Sequence, residues 1–213
     1  MIEKIVTLYR KAEMGIINGL SGTTQNVMDE TAFYDDGYMQ SQISKIQKEI
    51  QRITKEIEVS LEVNESSDYE KERRNKLLNE REQLLFHMIF LASNSFSNLD
   101  ACIGMAEGHK FNFMQCIRAL KEYKSGNTEN AFMLLEEYYR SHECVEDHFL
   151  VNKVFGLLLL QKNFYQKAIP FLTYALQFVP DDTECLTALN ICYKRNEEDD
   201  KADVVNGVLA VLG

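Results

Sequence analysis

The clearest order in this sequence is the alternation of apolar and polar positions in its first half. Met39, Ile43, Ile46, Ile50, Ile53 and Ile57 step by four and three residues in turn, with Gln, Lys, Glu and Arg filling the positions between them. A 3.5-residue repeat carried by isoleucine predicts a helix with one apolar seam, which buries itself against a second helix. The polar stretch Asn64 to Asp68 interrupts the pattern, and Ser67, Asp68, Tyr69 and Glu70 read as a capping box that opens a new helix. That helix carries Leu77, Leu78, Leu84, Leu85, Met88, Leu91 and Ala92 on its apolar side. Two helices over 39–63 and 68–92, joined by about five polar residues, fold most simply as an antiparallel hairpin. Isoleucine at both seam positions also suits a parallel trimer, so a homo-oligomer built on this seam is the rival reading.

Around the hairpin the pattern stays helical. Ile2, Ile5, Val6, Tyr9, Ala12, Ile16 and Leu20 share one face of a predicted amphipathic helix, ended by the glycine- and threonine-rich stretch Gly19 to Asn26. Asp35, Asp36 and Gly37 mark a second break before the seam. After the hairpin, Ser93 to Leu99 is a break, and a short helix from about Leu99 to Glu107 leads to Gly108. Residues 1–108 are thus predicted to be an N-terminal helical region.

The second half is organised by a repeat. Asn152, Phe155, Gly156 and Leu159, followed by Ala168, Leu172, Ala175 and Pro180, stand at the offsets of W-x2-L-G-x2-Y and its second-helix continuation. Thirty-four residues later Leu186, Leu189, Asn190, Tyr193 and Ala202 recur at the same offsets. Upstream, Cys116, Ala119, Leu120, Tyr123, Gly126, Ala131, Leu135 and Tyr138 form a degenerate unit whose inter-helix turn reads as one residue shorter. On these residues the chain resembles the tetratricopeptide repeat family over about residues 112–213. The resemblance implies an all-α protein in which three helical hairpins, 112–148, 149–182 and 183–213, form a short solenoid behind the N-terminal region. No tryptophan is present, and Asn152 and Cys116 occupy the usual large aromatic position.

Composition narrows the function. The chain is acidic, with 33 Asp and Glu against 23 Lys and Arg and a formal charge of −10, shared evenly between its halves. Its longest basic tract is Arg73, Arg74 and Lys76, which argues against nucleic acid or an anionic membrane as a partner. The longest apolar run, Val154 to Leu160, is too short to span a bilayer. Five cysteines, an odd number without CxxC spacing, are expected to be buried reduced thiols, and the expected location is cytoplasmic.

No catalytic set emerges. His142, Cys144 and His148 lie close together, but their spacing matches no zinc motif, and a solvated inter-helix turn explains them better. His87 reads as packed or interfacial, and His109 follows Gly108 in a turn. Phosphate-binding glycine motifs and a nucleophile elbow are absent from the sequence. Neither a cofactor nor a metal is expected.

The expected function is therefore a non-catalytic adaptor or scaffold for a protein or peptide. In the family frame the concave face is lined by the first helix of each repeat, here Met114, Ile117, Lys121 and Lys124, then Leu150, Lys153, Leu157 and Leu160, then Thr187, Ile191 and Lys194. Leu157 stands where carboxylate-gripping members carry an asparagine, so an extended apolar segment is expected as ligand, with acidic flanks meeting Lys121, Lys153 and Lys194. The chain is also similar, over roughly Ile117 to Leu212, to the tetratricopeptide chaperones of type III secretion that hold translocator subunits. That resemblance rests on Tyr123, Lys124, Ser125, Gly126 and the later repeat residues.

Overall fold

The isoleucine seam becomes one face of α1 (Asp36–Glu62), which lies against α2 (Asp68–Ala92). These are the first elements of a computed structural model that describes residues 36–62, 68–141 and 148–212, and every regular element among the described residues is helical. The amphipathic pattern of Ile2 to Leu20, the Gly19 to Asn26 break, Ser67 of the capping box, His142 and Cys144 lie outside the described residues. Contacts divide the described residues into two units, 36–114 and 115–212.

In the first unit, the seam positions fall within an arc of about 80° at 100° per residue, which suits a single partner helix. Met39, Ile53 and Ile57 are buried, while Ile43, Ile46 and Ile50 are half-buried. Met88, Ile89, Leu91 and Ala92 are buried on α2. Arg74, near the start of α2, donates from Nη2 to the Ser60 carbonyl at the end of α1 at 2.7 Å, a contact that requires the chain to fold back. α1 begins at Asp36 rather than Met39. His87, expected to be packed or interfacial, is not packed but exposed, since it lies outside the arc shared by Leu84, Leu85, Met88 and Leu91. A 3-10 turn (Phe96–Asn98) and α3 (Leu99–Met105) follow. Phe113 then returns to α2, with its ring 4.8 Å from Phe90 and 6.3 Å from Phe86.

The second unit is built from α4 (Met114–Lys124), α5 (Thr128–Ser141), α6 (Phe149–Gln161), α7 (Tyr165–Phe178), α8 (Thr183–Arg195) and α9 (Asp199–Leu212). Within it, α6 packs on α7, α7 on α8 and α8 on α9, and Gln115 of α4 donates to the Leu134 carbonyl of α5 at 2.9 Å. Three turns join α4 to α5, α6 to α7 and α8 to α9, and all three have one geometry. Gly126, Asn163 and Glu197 have φ of 84°, 62° and 60°. Each stands two residues after one helix and two before the next. The following amide reaches five residues back in every case, Asn127 to Glu122, Phe164 to Leu159 and Glu198 to Tyr193, all at 2.9 Å. This pairing closes a helix end by satisfying carbonyls that would otherwise lack partners.

That geometry corrects the reading of a shorter first turn. The turns are equal, and the missing residue lies before the turn, at the end of α4: Lys124 follows Tyr123 by one residue, where Gln161 and Arg195 follow Leu159 and Tyr193 by two. The paired hydrogen bonds hold the turn at one length, so the difference is absorbed by the helix.

Small residues set the helix spacing. A Cβ on Gly156 would lie 2.7 Å from both Cγ and Cδ2 of Leu172, so α6 and α7 touch at a distance only glycine permits. Ala131, Ala168, Ala175, Ala188 and Ala202 are buried. An aromatic cluster joins α5 to the α6–α7 pair: Phe155 lies 5.0 Å from Tyr139 and 4.7 Å from Phe171, and Tyr139 lies 5.1 Å from Phe171. Cys102, Cys116, Cys185 and Cys192 are buried thiols outside any disulfide. Among the described residues no helix is long and apolar enough to cross a membrane.

Candidate binding trough

α6 is apolar nearly all round, with nine of its 13 residues buried, because neighbours cover it on several sides. His148 caps its start with a wholly buried side chain whose Nδ1 accepts the Val151 amide hydrogen at 3.2 Å. Asn152 Nδ2 donates to the His148 carbonyl at 2.8 Å. The reading of His148 as part of a solvated turn is therefore corrected. The ring sits inside because the helix start needs an acceptor there.

α8 begins with a residue that serves two partners. Asp182 Oδ1 accepts the Cys185 amide hydrogen at 2.8 Å and caps the helix, while its Oδ2 meets Lys153 Nζ of α6 at 2.7 Å. Glu184 approaches the same ammonium at 2.9 Å. Burial would push the Lys153 ammonium down, but the hydrogen bonds and charges of Asp182 and Glu184 outweigh it and raise its pKa. Burial would push Asp182 up, and Lys153 with the Cys185 amide overcomes that and lowers it. The Tyr123 phenol of α4 is raised chiefly by its own burial, with the Glu184 charge adding to it.

Lys153 is thus not available to an acidic ligand, contrary to the sequence expectation. Its partners lie 29 and 31 residues ahead, not at the 34-residue register of the repeat pattern. The start of α8 therefore faces the middle of α6. This slip of about one turn also explains why Leu150, in the first turn of α6, is buried and lies outside the trough.

Beyond the ion pair, Leu157 and Leu160 of α6 face Thr183, Glu184, Thr187, Ala188 and Ile191 of α8 across an open trough of about 360 Å³. Ile191 is 40% exposed, Leu160 is half-buried, and Leu157 forms the floor at 7%. Comparison of the chain with protein-family models, with curated proteins and with solved structures finds no match. The site therefore rests on its geometry.

Of the eleven residues assigned to the concave face from the sequence, Leu157, Leu160, Thr187 and Ile191 are brought together. Met114 and Ile117 of α4 are buried at 8% and 0% and do not line this trough, which corrects their assignment to an open face. Lys121 is exposed on α4, and Lys194 is exposed one turn beyond Ile191. The sequence reading missed Thr183, Glu184 and Ala188. Their signal is the spacing 184, 187, 188 and 191, a single stripe on α8.

Proposed function

We propose that the chain is a non-catalytic binding protein of tetratricopeptide type, whose trough between α6 and α8 holds an extended apolar segment of a partner protein. The supporting observation is the trough itself: exposed or half-exposed Leu160 and Ile191 above a Leu157 floor, with a half-buried ion pair at one end. Large apolar side chains left in a concave, solvent-facing position favour a ligand that removes them from water, at about 25 cal/mol per Å² covered. Three equal turns and a glycine-spaced helix pair support the repeat architecture that presents such a face.

The test is affinity capture from the native cell with the full chain and with a Leu160→Asp, Ile191→Asp variant, the recovered proteins being identified by mass spectrometry. The wild type should retain a partner whose binding falls by roughly 2 kcal/mol or more in the variant. Equal retention of the same partner by both chains would move the binding surface elsewhere.

A further inference from the structure

The α8 stripe that lines the trough carries acidic residues at one end and basic residues at the other. At the start of α8, Asp181, Asp182 and Glu184 set three carboxylates against the one ammonium of Lys153. At the far end, Lys194 and Arg195 follow Ile191 by three and four residues and extend the stripe by one exposed turn. Four carboxylates follow α8, Glu197, Glu198, Asp199 and Asp200; Glu198 is held by Lys201 at 2.7 Å, and Asp199 and Asp200 stand in the first turn of α9, so Lys194 and Arg195 are the charged residues that continue the α8 stripe itself. Acidic residues at a helix start and basic ones at its end suit the helix dipole, and that accounts for their presence on α8. Their consequence for a ligand comes from position, because the apolar floor of Leu157, Leu160, Ala188 and Ile191 lies between them.

We infer that the trough selects an extended peptide whose two apolar anchors are bracketed by charges of opposite sign. A cation of the peptide meets the Asp181, Asp182 and Glu184 end, and an anion meets Lys194 and Arg195. This rests on the reading of the trough as a binding site and replaces the acidic flanks expected on both sides. Glu184 and Lys194 are ten residues apart on α8, about 15 Å along its axis. An extended chain covers that distance in about four to five residues at 3.3 Å each. The two bracketing charges should therefore stand four to five positions apart, with the anchors between them on one face of the strand.

The test uses the full chain and four fluorescein-labelled synthetic peptides that share one central leucine pair. Their bracketing residues are lysine and aspartate, two lysines, two aspartates, or two glutamines, and binding is read by fluorescence anisotropy at low and high salt. The lysine and aspartate peptide should bind about five-fold more tightly than the glutamine peptide at low salt, the combined size of two exposed charge pairs. High salt should erase the advantage. Glu184→Gln and Lys194→Gln, both at exposed positions, should each remove part of it. Equal binding of all four peptides would overturn the charge selection and leave the apolar trough standing. Binding of none would overturn the trough as a peptide site, and the charge selection with it. Sedimentation of the chain alone gives the remaining outcome. A dimer that Ile191→Asp converts to monomer would make a second copy the occupant, in place of the peptide.

Discussion

At the residue scale, two positions carry effects that the fold makes measurable. Gly156 is the contact point of α6 and α7, and a methyl there meets Leu172 Cγ and Cδ2 at 2.7 Å and the Leu172 amide nitrogen at 3.2 Å. The backbone atom cannot swing aside, so Gly156→Ala should cost about 1 to 3 kcal/mol in urea unfolding despite alanine's better helix propensity. An unchanged or raised midpoint would show that the helices part freely. Asp182 offers a pH signature. Its carboxyl is held below its ordinary 3.8, so its contribution to stability is complete above that value and is lost as pH falls through the lowered one. Lys153 is raised above its ordinary 10.5, so its share is complete below that value and is lost as pH climbs through the raised one. Asp182→Asn keeps a helix cap but loses the ion pair, and should cost about 1 to 2 kcal/mol at neutral pH. That difference should stay flat from roughly pH 5 to 9, closing in acid as Asp182 protonates and again in strong alkali as Lys153 loses its proton. A difference that varies steeply between those limits would assign it to another group.

At the element scale, the three equal turns expose one substitution with a favourable sign. Gly126 takes a left-handed φ without strain, whereas Asn163 and Glu197 take it with side chains. Glutamate is the least suited of the three, lacking the short amide that lets asparagine bond locally. Glu197→Gly should raise stability by up to about 1 kcal/mol, and Gly126→Ala, with open space around its Cβ but φ at 84°, should lower it by about 1 kcal/mol. Thermal melts of the two variants moving in the same direction would contradict the shared geometry. The turns also show how far the sequence is legible. Gly156, Ala168 and Ala175 announce close helix contact because no other arrangement favours small residues at those offsets. The place of α4's missing residue stays hidden, because a deletion in the helix and one in the turn give the same spacing from Tyr123 to Ala131.

At the scale of the whole molecule, what the sequence displays is the local periodicity, and what it conceals is register between helices far apart in the chain. The seam of α1 and the stripe of α8 are read from spacing alone. The pairing of Lys153 with residues 29 and 31 positions later depends on how α6 and α8 slide past each other, and no spacing within either helix encodes that. The burial of Met114, Ile117 and Leu150 is likewise a property of packing between elements. The two units, however, each have a core of their own: Ile53, Met88, Ile89 and Phe113 in one, Leu120, Leu135, Leu158, Leu172 and Leu189 in the other. Placing a charge at Ile53, fully buried in the seam, should cost about 3 kcal/mol or more, because an isoleucine is lost and an unpaired carboxylate takes its place. Since the seam belongs to 36–114, amide hydrogen exchange in Ile53→Asp should accelerate across α1 and α2. Exchange in α6 to α8 should stay at wild-type rates, and Gly156→Leu should give the mirror image. Acceleration throughout the chain in both variants would mean that the two cores unfold as one cooperative unit. Had α1 instead paired with copies of itself, Ile53→Asp would yield a folded monomer with undisturbed α2 exchange, and the hairpin would be the wrong account of the seam.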